Sequence, residues 1–72
     1  MQKKEKGYIF MKEYLIESHF AIYDIDESVH YESEPEFMTD DWTKYDLNNM
    51  YELWSVYERQ ENGTFKRIKT NL

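Results

Sequence analysis

Cysteine is absent from this 72-residue chain, glycine occurs twice and proline once. The first absence removes disulfide staples, thiolate metal sites and thiol nucleophiles together. So few glycines and prolines leave no flexible linker and no glycine-rich phosphate loop, and no internal repeat divides the chain, so a single domain over 1–72 is expected. Nor does any apolar stretch approach the ~18 residues of a membrane span. Lys3-Lys4-Glu5-Lys6 followed by Gly7-Tyr8-Ile9-Phe10-Met11 has the order of a signal peptide, but the apolar run stops at Lys12-Glu13. These features read as a soluble, cytoplasmic protein with no membrane contact. Met11 offers an alternative start, which would make residues 1–10 a mobile N-terminal extension.

Positive charge is scarce in the middle of the chain. Between Glu13 and Glu58 thirteen carboxylates face one cation, Lys44, so this stretch carries −12; each flank carries +3, and the three sum to the net charge of −6. A cluster this acidic repels itself, and its presence points to solubility or to a positively charged partner.

What is present in excess is aromatic surface. Thirteen Tyr, Phe and Trp residues outnumber Leu, Ile and Val together. A chain of this length buries only about 60–65% of its unfolded surface, and aromatic side chains, at roughly 150–250 Å² each, can close a small core that aliphatics could not. Seven of the thirteen are Tyr, a composition that also suits a contact surface.

From Tyr14 to Ile25 the apolar residues Tyr14, Ile16, Phe20 and Ile22 alternate with Leu15, Ala21, Tyr23 and Ile25, the period of a strand. A helix remains the competitor, because Ile16, Phe20 and Tyr23 also recur at helical spacing. After a turn at Asp26 to Ser28, Val29, Tyr31 and Ser33 against His30, Glu32 and Glu34 suggest a return strand with its acids on one face. Pro35 lacks an amide donor, so that strand lies at an edge or ends at Glu34. Thr39-Asp40-Asp41 is a helix entry signal, predicting a short helix over about 40–48 with Thr39 as its N-cap. Residues 50–62 fit a helix carrying Met50, Leu53, Trp54 and Tyr57, or a hairpin. The hairpin is favoured, because a three-residue turn Glu61-Asn62-Gly63 would pair Glu58 with Lys66, Val56 with Ile68 and Trp54 with Thr70. The expected fold is therefore α+β: a small twisted antiparallel sheet of three to five strands, one short helix and a C-terminal β-hairpin. Trp42, Tyr45, Leu53, Val56, Ile68, Ile16, Phe20 and Ile22 are the expected core.

Catalytic chemistry is poorly provided for. His19 and His30 each have a carboxylate two residues away, Glu17 and Glu32, yet no nucleophile elbow or cysteine accompanies them, so they read as strand histidines facing solvent or an acid. Asp24-Ile25-Asp26-Glu27 opens like a calcium loop but has Val29 where glycine is needed and Pro35 where a bidentate Glu belongs. His30, Glu32 and Glu34 recur about 6.6 Å apart along a strand, too wide for one ion. No catalytic residue, metal site or cofactor is expected.

Two binding surfaces of opposite sign remain. Asp24, Asp26, Glu27, Glu32, Glu34, Glu36, Asp40, Asp41 and Asp46 form a candidate acidic surface that could occupy a Lys/Arg-lined groove of a host protein. Arg59, Lys66, Arg67 and Lys69, set among Trp54, Tyr57 and Phe65, form an alternative that could neutralise phosphates while stacking bases. The net charge of −6 opposes that second use. A third reading is a structural interaction module or homodimer with exposed tyrosines at the contact. In size, acidity and lack of cysteine and catalytic motif the chain is similar to small phage or mobile-element inhibitors of host nucleic-acid enzymes, including DNA mimics and anti-CRISPR proteins. That resemblance is one of composition over the whole chain, carried by no shared motif. It implies a non-enzymatic inhibitor of a basic nucleic-acid-binding groove.

Overall fold

A computed structural model describes residues 12–72; the N-terminal basic cluster and the alternative start at Met11 lie outside the described residues. Four strands, β1 (Tyr14–Tyr23), β2 (Val29–Thr39), β3 (Trp54–Arg59) and β4 (Phe65–Thr70), form an open antiparallel sheet in the order β2-β1-β3-β4. The period-two pattern of residues 14–25 thus wins over its helical alternative, and the C-terminal hairpin forms as expected.

The single helix expected over 40–48 does not form. A 3-10 turn, Trp42–Lys44, and a separate one-turn helix α1, Leu47–Met50, take its place, so the fold is mostly sheet. Asp41 caps the first turn in place of Thr39, accepting the Thr43 amide at 3.1 Å. Tyr45 is then extended and Asp46 starts the next turn. Thr, Asp, Tyr and Asn are weak helix formers, so a segment rich in them offers little intrinsic resistance to this break.

Both hairpins close with the same five-residue turn, and chemically matched residues build it. In the first, the Asp24 amide donates to the Ser28 carbonyl at 2.9 Å and the Glu27 amide to the Asp24 carbonyl at 2.9 Å. In the second, Gln60 and Thr64 are joined at 2.7 Å and the Gly63 amide donates to the Gln60 carbonyl at 3.0 Å. An Asx side chain fixes each: Asp26 Oδ1 accepts the Ser28 amide, and Asn62 Oδ1 accepts the Thr64 amide, both at 3.1 Å. The geometry requires one left-handed residue, which is Gly63 (φ 88°) in one turn and Glu27 (φ 69°) in the other.

Register decides which residues meet. Ile16 of β1 lies opposite Val56 of β3 and Phe37 of β2; both Ile16 and Val56 are fully buried, and Leu47 and Trp54 complete the core. Tyr14, Phe37, Trp42 and Tyr51 pack around it, so the 40–53 segment covers this face of the sheet. Ile16 and Val56 occupy the core as expected, but Phe20, Tyr45 and Ile68 are well exposed, and Leu53 and Ile22 are half-buried. The covering segment is short, so β1 beyond Ser18 projects past it.

Two bulges adjust the register. One shifts β2 between Glu17/Pro35 and Ile16/Phe37, so the extra residue Glu36 and the core residue Phe37 share a face. The other shifts β4, so Val56 lies opposite Lys69 and Ser55 opposite Thr70, one residue off the register expected from the turn, while Glu58 still meets Lys66. Pro35 sits in edge strand β2, where its missing amide would point away from β1.

Candidate functional site

The β1–β2 arm carries the acidic surface. Glu34 lies opposite Ser18, Glu32 opposite Phe20 and His30 opposite Ile22, which places Glu32 and Glu34 on the same face as Ile16. The bulge brings Glu36 into this row: Ser18 Oγ donates to Glu36 Oε2 at 2.6 Å. At the other end His30 bridges Asp24 and Glu32, with Nδ1 and Nε2 3.1 and 3.3 Å from their carboxylates. The row runs Glu36, Glu34, Glu32, His30, Asp24.

The members of this row are held differently. Glu36 lies near the covering segment: burial, then the charge of Glu36, pushes the Tyr51 phenol above its ordinary value. Glu32 is engaged by His30. The Glu34 carboxylate receives no hydrogen bond or ion pair from any described residue and is exposed in the middle of the row.

Of the remaining predicted acids, Asp26 and Glu27 sit in the turn at the tip of the arm, beside Asp24. The Ser28 hydroxyl and amide hold the Asp26 carboxyl below its ordinary range. Asp40, Asp41 and Asp46 lie on the segment that covers the Ile16 face, hence on the same side of the sheet as the row. Asp40 pairs with Lys44 at 3.7 Å, and Asp41 is held low by the hydroxyl and amide of Thr43. All nine are exposed.

Of the basic candidates, Lys66 and Lys69, opposite Glu58 and Val56, share a face of the sheet. Arg59 is bound to Glu13 at 2.6 Å. Lys66 opposes Glu58 and Arg67 opposes Tyr57, so the two project to opposite faces of β4, and Lys69 follows the bulge opposite Val56.

One constellation escaped the sequence reading. His19 is buried, contrary to the expectation of a solvent-facing strand histidine: its Nδ1 lies 2.7 Å from Ser33 Oγ and its Nε2 2.6 Å from Ser55 Oγ. Ser55 in turn donates to Thr70 Oγ1 at 2.8 Å, and Thr70 to the Trp54 carbonyl at 3.0 Å. Each hydroxyl has one hydrogen, so Thr70 spends its own on the carbonyl, Ser55 spends its own on Thr70, and His19 must donate to Ser55 from Nε2. This hydrogen-bonded line crosses all four strands. The signal that could have found it is Ser33, Ser55 and Thr70 recurring at strand positions where apolar residues are expected. Among the described residues no carboxylate is hydrogen-bonded to His19.

Comparison with protein-family models, curated proteins and solved structures found no match to this chain. Among the described residues no helix is long and apolar enough to cross a membrane, and no cluster of His, Cys, Asp or Glu has the arrangement of a metal site.

Proposed function

We propose that this chain is a non-enzymatic binding protein whose acidic β1–β2 arm docks on a basic surface of a host protein, of the kind that otherwise holds nucleic acid. The observation that supports this reading is the register that aligns Glu32, Glu34 and Glu36 on one face of one strand, continued by Asp24 through His30. Alternate strand residues recur at about 6.6 Å, close to twice the ~3.4 Å rise per phosphate on one DNA strand. Such a row attracts Lys and Arg side chains over long range and competes with a phosphate backbone for them. An inhibitor from a phage or mobile element, in the manner of a DNA mimic or an anti-CRISPR protein, is the biological role that matches the composition.

The alternative, direct nucleic-acid binding through the C-terminal hairpin, draws less support, because Arg59 is spent on Glu13 and Lys66 and Arg67 project to opposite faces. A gel shift with short duplex and single-stranded DNA at low salt separates the two. The acidic-arm reading expects no shift; a shift lost on Lys66→Glu with Arg67→Glu would favour the hairpin.

A further inference from the structure

Among the described residues the sheet has three stretches of unpaired strand edge, and only two of them are blunted. The outer edge of β2 carries Pro35 and the Glu36 bulge, and the outer edge of β4 carries the Ile68 bulge with Lys66, Arg67 and Lys69. Proline, bulges and lysine are the usual devices that keep an edge from pairing. The third stretch lies inside the sheet order. β3 pairs with β1 only from Tyr14 to Ser18, and the bond from the His19 amide to the Leu53 carbonyl, 3.0 Å, is the last contact before the chain at Glu52 turns away.

Strand alternation then fixes the edge beyond it. The His19 amide points toward β3, so Ala21 and Tyr23 point their N–H and C=O groups the same way, and no described residue pairs with them. The edge stretch Phe20-Ala21-Ile22-Tyr23 has no charge, proline or glycine in a chain of which 33% is charged. Three of its four residues, Phe20, Ile22 and Tyr23, favour strands.

This edge borders a cleft of about 400 Å³ walled by His19, Ala21, Tyr23, Tyr31, Glu52 and Leu53. Acids stand beside it: Glu52 in the wall and Asp24 immediately after Tyr23. From an unblunted edge, a preformed cleft and this charge, we infer that an extended segment of a partner protein adds to β1 at Ala21 and Tyr23, carrying Lys or Arg at alternate positions. Its backbone completes the edge hydrogen bonds, and its cations, all on the cleft face, reach Glu52. The inference rests on the proposed basic partner for the charge of the segment, and adds the mode of docking.

The test uses the full chain, isotopically labelled, and two peptides of equal charge that alternate lysine and valine. One has a normal backbone; the other is N-methylated on the amides of one edge. The normal peptide is expected to slow hydrogen exchange at the Ala21 and Tyr23 amides and to bind about tenfold more tightly than the methylated one, the effect of losing one or two net hydrogen bonds. Ala21→Pro, which removes an amide unused in the free chain, is expected to lower affinity for the normal peptide by a similar factor and to leave the methylated peptide's affinity unchanged. Equal binding of the two peptides to the unmodified chain would overturn strand addition while leaving the basic-partner reading intact. Failure of both peptides to bind would also overturn strand addition, while the basic-partner reading is tested separately by charge reversal of Glu32 and Glu34. Self-association of the chain that protects the same two amides without peptide would assign the edge to a second copy and overturn the proposal.

Discussion

His19 Nε2 lies 2.6 Å from Ser55 Oγ, with both residues buried where β1 and β3 meet. The contact is the second of four links in a hydrogen-bonded line from Ser33 to the Trp54 carbonyl, so the Ser55 and Thr70 hydroxyls each accept from the donor before them. His19→Leu removes that donor and leaves the Ser55 oxygen short of a partner, a loss of about 1–3 kcal/mol. Urea unfolding of His19→Leu, Ser55→Ala and the double variant checks this. The double variant is expected to be less destabilised than the sum of the two, by about 0.5–3 kcal/mol for residues in one network.

The two matched turns differ at their left-handed residue, and this makes them a paired experiment. Glu27 holds φ 69° with a side chain that disfavours it, whereas Gly63 holds φ 88° freely and has open space around it. Glu27→Gly is expected to stabilise the chain by up to about 1 kcal/mol, the relieved strain being partly offset by the greater freedom of glycine when unfolded. Gly63→Ala is expected to destabilise it by about 1 kcal/mol, through backbone strain alone. Shifts of urea midpoint with unchanged slope are the readout.

Asp26 supplies a pH test. The Ser28 hydroxyl, then the Ser28 amide, lowers its pKa from the ordinary 3.8. A carboxyl depressed on folding contributes stability that is present above the ordinary value and is lost as pH falls through the lowered one. Ser28→Ala is expected to move the Asp26 titration, followed by NMR, back toward 3.8, while Asp41, whose equivalent partner is Thr43, stays low.

Much of this architecture was legible before folding, and the parts that were not have definite causes. Alternation over 14–25 and the Glu61-Asn62-Gly63 turn located both hairpins, because period-two patterning and a left-handed glycine are local signals. The equivalent turn at Ile25-Asp26-Glu27 was expected one residue later, at Asp26 to Ser28, since its left-handed residue is a glutamate and marks no position. Bulges at Glu36 and Ile68 have no sequence signature; they moved Phe37 into the core face and shifted the pairing of β4. The core residues Leu47 and Trp54 were missed because burial here depends on where the broken 40–53 segment lands, which is a tertiary outcome. The acid row was readable as alternation, yet its continuation through His30 to Asp24 needed the turn geometry. The buried setting of His19 depended on β3 and β4 lying across it, which no local pattern encodes.

The central claim, that the acidic arm is the contact surface, is tested most directly by charge reversal on the row. The chain and its Glu32→Lys/Glu34→Lys variant are immobilised side by side and exposed to the native host's soluble proteins, with Glu61→Lys in the other turn as a control and far-ultraviolet circular dichroism to verify folding. Basic nucleic-acid-binding proteins retained by the parent and by Glu61→Lys, released by duplex DNA and absent from the doubly reversed chain are the expected result. A partner held equally well by the folded, doubly reversed chain would contradict the account.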